Sequence, residues 1–118
     1  MEIYQFKREV GKKIKKFNSA FVMSHVIQTQ KTAHIGCMHL DKNEVVGYHQ
    51  TTLPQLLLIV NGEGTVRGEK EEFIKVQNGD AVFWNKDEWH ETTTDIGITA
   101  IVIESEELNP LSFMPLKK

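Results

Sequence analysis

Eight short runs rich in Val, Ile, Thr, Phe and Trp follow one another at a spacing of roughly ten residues, and this spacing most restricts what the chain can fold into. They are FVMSHVIQ (21–28), AHIGCMHL (33–40), QLLLIV (55–60), GTVRG (64–68), FIKV (73–76), DAVFWN (80–85), WHETTT (89–94) and ITAIVIE (98–104). Between the later runs stand DKNE, NGEG, RGEKEE, QNGD, NKDE and TDIG, all turn material. Strands at this interval with turns between them predict an antiparallel sandwich or barrel rather than alternating strand–helix units. No internal repeat or low-complexity segment interrupts the pattern, and the tail NPLSFMPLKK, with two prolines, reads as an extended closing segment.

At 118 residues the expectation is one domain, 1–118. A hydrophobic fraction of 40% and a charged fraction of 25% suit a soluble protein with a core of its own. Cys37 is the only cysteine, so no intrachain disulfide forms and a reducing compartment is expected. The opening MEIYQFKREVGKKIKKF has no apolar segment of the signal-peptide kind, and the longest apolar run, LLLIV, is far too short to span a bilayer. The expected location is cytoplasmic.

Six of the fourteen basic residues fall in the first sixteen positions: Lys7, Arg8, Lys12, Lys13, Lys15 and Lys16. No aromatic interleaving, helix-turn-helix or other reader motif accompanies them. Residues 1–20 are therefore read as a solvated basic segment, and neither nucleic acid nor membrane is an expected partner.

Alternate side chains of a strand point to opposite faces. Gln55, Leu57 and Ile59 share one face of the 55–60 run, and Leu56, Leu58 and Val60 share the other, so both faces need cover. The 98–103 run repeats this two-sided pattern. One face belongs to the interior. The expectation for the other is a homodimer, with the strand IYQF (3–6) available for exchange between subunits.

GYHQTTLPQ brings His49, Thr51 and Gln55 within seven positions at one parity, and WNKDEWHE supplies His90 at the opening of a later strand. Glu88 shares the parity of His90. Phe83 lines the same pocket if the face it shares with Ala81 is internal. His25, His34, His39 and Cys37 lie on earlier runs; they read chiefly as satisfied core residues, with Cys37 and His39 as further donors if their face is internal. Trp84 reads as packing, and Trp89, of opposite parity to His90, as outward-facing.

From Val45 to Glu104 the chain resembles the cupin superfamily. His49, Thr51, Gln55 and Gly62 are in register with that family's first motif, and Gly79, Asn85, Asp87 and His90 with its second. LIVNGEGTV and VQNGDAVFW look like the family's inner-strand and glycine-turn phrases. The resemblance implies an all-β, double-stranded antiparallel β-barrel of jelly-roll type. It also implies a divalent metal held by the two motifs, here by His49, Gln55 and His90. Thr51 and Gln55 stand where a second histidine and a glutamate are expected. The implied ion (Zn, Ni, Fe or Mn) is accordingly weakly bound, since two neutral imidazoles and an amide leave its charge uncompensated.

Two functions follow from this set. The first is a small-molecule or metal-binding module, with His49, Thr51, Gln55, Phe83, Glu88 and His90 as its ligand-binding residues. The second is a metal-dependent enzyme of dioxygenase or isomerase type. A structural dimer without pocket chemistry is the third reading.

Overall fold

The structure is a computed structural model that describes residues 1–70 and 72–118. It is all-β. Among the described residues ten strands run β1 (Glu2–Gln5), β2 (Lys12–Ile14), β3 (Phe21–Met23), β4 (Ala33–Leu40), β5 (Val45–Gln50), β6 (Gln55–Arg67), β7 (Ile74–Gln77), β8 (Asp80–Trp84), β9 (Trp89–Thr93) and β10 (Ile98–Ser105). Every pairing between them is antiparallel.

Strand β6 organises the molecule. Its first half lies between β8 and β10 in a sheet ordered β1-β8-β6-β10-β4. Its second half pairs with β7 and β9, and β9 carries β5. The 55–60 and 64–68 runs, expected as two strands joined by an NGEG turn, are thus one strand of 13 residues. Gly62 makes the bend between its halves. It has φ +95°, and a Cβ there would stand 2.0 Å from the carbonyl oxygen of Gly97. Only glycine accepts both the left-handed backbone and the close approach.

The expected closed barrel is not formed. Among the described residues the hydrogen-bond ladder stops at β1, β4, β5 and β7, and the two halves face each other as a sandwich joined through β6. The core between them consists of Leu57, Ile59, Val66, Val76, Val82, Trp84, Ile98 and Ala100. Each of the larger aliphatic side chains among them contributes about 2 kcal/mol by leaving water.

The second apolar face of β6 is also covered, and largely by the chain itself. Leu56, Leu58, Ala81, Phe83, Tyr4 and Ile103 pack with Leu108 and Met114 of the tail. The tail is held beside β1: Gln5 N donates to Pro115 O at 3.0 Å and Lys117 N to Ile3 O at 2.8 Å. Lys117 Nζ reaches the buried carboxylate of Asp80 at 2.7 Å. The segment IYQF lies in this same cover as β1, paired to its own chain's β8. What remains open on this side is β4, where Ile35 is 69% exposed and Cys37 lies at the surface.

The basic N-terminal segment is ordered. β2 and β3 form a hairpin of their own, with no ladder to the main sheets. The FVMSHVIQ run contracts to β3, and the exposed His25 follows it in a segment without regular structure whose Val26 and Ile27 pack against the core.

Candidate functional site

His49 and His90 face each other directly across the β5–β9 ladder. A bulge makes this possible. Val46 pairs with Thr92 and His49 with His90, so β5 spends three residues where β9 spends two. Simple alternation from Val46 would have placed His49 on the opposite face. The extra residue at Gly47–Tyr48 turns His49 back toward His90 and sends Tyr48 outward, where it stacks on Trp89 with ring centres 5.4 Å apart.

The two imidazole centres are 4.3 Å apart and inclined at 60°. His90 is 1% exposed, whereas His49 sits at the surface. The other neighbour of His90 is Trp84, stacked at 4.2 Å with only 22° between the ring planes. Gln55 pairs with Trp84 across the β6–β8 ladder and shares its face, one position further along the same wall.

The polar atoms of this group divide into committed and uncommitted. His49 Nδ1 donates to the Gly47 carbonyl at 2.7 Å, which leaves the lone pair on Nε2. His90 Nδ1 and Trp84 Nε1 are buried with no hydrogen-bond partner among the described residues. Burial, reinforced by the nearby His49 ring, lowers the His90 pKa to about 4, against the opposing pull of the Glu88 carbonyl and carboxylate. His90 is therefore a neutral imidazole at physiological pH.

Thr51 and Glu88 are committed elsewhere. Thr51 Oγ1 donates to Leu53 O at 2.6 Å, and its backbone pairs with Glu88 O and Asp87 N. Gln50 Nε2 donates to Asp87 O at 2.9 Å. These bonds lace the loop after β5 to the NKDE turn, where Asp87 has φ +66°, and so fix where β9 begins. Glu88 binds the Met1 amino group at 2.7 Å and accepts from Asn85 N at 3.0 Å. It borders a cleft of about 420 Å³ that Met1, Gly68, Glu69 and Ile74 also line.

Phe83 does not belong to the site. It packs with Leu56 and Leu58, whereas Trp84, its neighbour in β8, packs on the His90 side. Alternation along β8 turns the two aromatic rings to opposite faces. Cys37 and His39 are exposed on the face of Ile101 rather than near His90, and His25 and His34 are exposed too, so none is a core residue. Trp84 is the residue that sequence reasoning undervalued. Its register opposite Gln55 is a long-range pairing that the sequence does not carry.

The donors present do not make a complete metal site. Among the described residues no group of three or more His, Cys, Asp or Glu side chains is placed to hold an ion. Two neutral imidazoles and an amide supply no charge, and the nearest carboxylate, Glu88, is already engaged.

With the double-sheet architecture and this site in view, comparison with solved structures places the chain in the cupin class of folds. A cupin superfamily protein of Desulfitobacterium hafniense aligns with a TM-score of 0.60 at 16% identity, over 68% of this chain and 72% of that one. An RmlC-like cupin of Shewanella frigidimarina aligns with a TM-score of 0.59 at 18% identity, over 74% and 72%. A conserved protein of unknown function from Streptococcus pyogenes gives 0.59 at 18%, over 68% of each chain. At such identities the likeness establishes the fold alone. No protein-family model matches the sequence. No curated protein matches it either.

Proposed function

We propose that the protein is a small-molecule-binding module of cupin fold whose polar cluster is His49, Gln55 and His90 against the indole of Trp84. The observation that carries this reading is the pair of orphaned buried nitrogens, His90 Nδ1 and Trp84 Nε1, beside the free Nε2 side of His49. A buried donor without a partner costs roughly 1–3 kcal/mol, and a ligand oxygen or hydroxyl that meets it recovers that cost. Neutral imidazole and carboxamide each donate and accept, a set matched to a neutral or singly charged polar molecule.

A metal-dependent enzyme would rest on the same two imidazoles and would require a charged donor beyond Gln55. Elemental analysis of protein purified without added metal separates the two. The binding-module reading expects substoichiometric metal together with thermal stabilisation by small polar compounds that is lost in His90→Ala. Stoichiometric metal that disappears in Gln55→Ala and His90→Ala, with the fold retained, would replace it by the enzyme reading.

We also propose that two copies pair through the open side of β4, where Ile35 and Cys37 are exposed. Ile35→Asp is expected to shift sedimentation toward the monomer. A monomeric wild type at high concentration would remove the proposal.

A further inference from the structure

The β2–β3 hairpin carries a charge opposite to that of the body. Residues 7–23 hold six cations against the single carboxylate of Glu9, a net of +5. The remainder holds eight cations against fifteen carboxylates, a net of −7. Among the described residues none of the six cations has an ion-pair partner. They accompany exposed apolar side chains: Phe17 at the tip is 94% exposed, Phe21 44% and Met23 40%. Phe17 and Asn18 both have φ +58°, so the tip holds a left-handed backbone with a phenyl ring in water. Beneath the hairpin, Arg8, Lys13 and Lys15 line a cavity of about 200 Å³ together with Ile14, Phe21 and Val22.

We propose that this hairpin is a docking surface for an anionic phospholipid bilayer, with a headgroup phosphate among Arg8, Lys13 and Lys15 and the Phe17 ring in the interface. Three features favour this occupant. Charge complementarity calls for an anionic partner, and the acidic body, repelled by the same surface, turns the hairpin toward it. The exposed apolar groups mix aliphatic with aromatic side chains along the ladder (Lys12 opposite Met23, Ile14 opposite Phe21), which suits acyl boundary more than a row of stacked bases. An isolated two-stranded hairpin is marginal in water and gains from a surface to lie on. The run of cations read from sequence as merely solvated thus becomes a shaped surface once the hairpin gathers it. A protein lying on a bilayer needs no spanning segment.

The test is co-sedimentation of the full chain with phosphatidylcholine vesicles, with and without phosphatidylglycerol. Binding is expected only with the anionic lipid, and it should weaken as salt rises. The double variant Lys13→Gln, Lys15→Gln should lose affinity by about twentyfold or more, roughly fivefold for each lysine. Phe17→Ser should lose about tenfold. Both variants should melt like the wild type, because the hairpin has no ladder to the main sheets. Equal binding to both vesicle types, no binding to either, or undiminished binding of the double variant overturns the proposal. So does binding of a single-stranded oligonucleotide, or stabilisation by inorganic phosphate, in the absence of vesicle binding.

Discussion

His90 lies between two rings, His49 at 4.3 Å and Trp84 at 4.2 Å, and of the two histidines it alone is withdrawn from water. The bulge in β5 and the stacked indole together make one imidazole an exposed contact and the other a buried, neutral one. Its consequences are measurable.

The first is pH dependence. The His90 pKa falls from the ordinary 6.5 to about 4 on folding, so between these values the unfolded chain binds the extra proton. Stability is then full above about pH 6.5 and declines as pH falls toward 4, by about 2–3 kcal/mol over the window. Denaturant unfolding at a series of pH values should show this slope, and His90→Gln should flatten it. A slope unchanged in the variant would mean that another group is responsible.

Trp84 is expected to matter more as a ring than as a donor. Trp84→Ala should cost about 3–5 kcal/mol, and Trp84→Phe only about 1–2, because the stack persists and an unpartnered N–H is removed. Equal costs for the two, from denaturant midpoints, would show that the indole nitrogen has a partner.

Gly62 admits no side chain. Gly62→Ala places a methyl group at 2.0 Å from the Gly97 oxygen and should destabilise by about 3 kcal/mol or more, read from thermal unfolding. A near-neutral result would mean that β6 does not bend between the two sheets as described.

Much of the fold was legible in the sequence because β propensity and turn chemistry agree over most of the chain. QNGD and TDIG punctuate it as expected, with Gly79 at φ +88° and Gly97 at φ +116°. NGEG misled for a physical reason. Glycine marks a bend within a strand as readily as a turn between strands, and only the opposed Gly97 backbone decides which. His49 and His90 were expected in one cluster, but their direct pairing across β5 and β9 was not, and the parity that grouped His49 with Gln55 runs through a loop. Alternation carries no information across an inserted residue or across the loop 51–54. Phe83 was misassigned because which face of β8 is internal depends on where β9 lies, a long-range fact. Strand β3 falls within an expected run, but its partner β2 escaped notice because lysine runs carry little strand signal.

Charge supplies a further prediction. Gln55→Glu places a carboxylate directly across the ladder from Trp84, and it should tighten zinc or nickel binding by about tenfold or more in calorimetric titration. An unaltered affinity would mean that position 55 does not reach the imidazoles.

The central claim is that His49, Gln55 and His90 serve one pocket, and nitrogen-edited NMR of the imidazole and carboxamide groups tests it most directly. A panel of small hydroxy acids, keto acids and sugars would be added while all three signals are followed. The account predicts that a compound which shifts the His90 ring also shifts the His49 ring and the Gln55 amide, with one common dissociation constant. Compounds that move His49 alone, or move the three groups with unrelated constants, would contradict it.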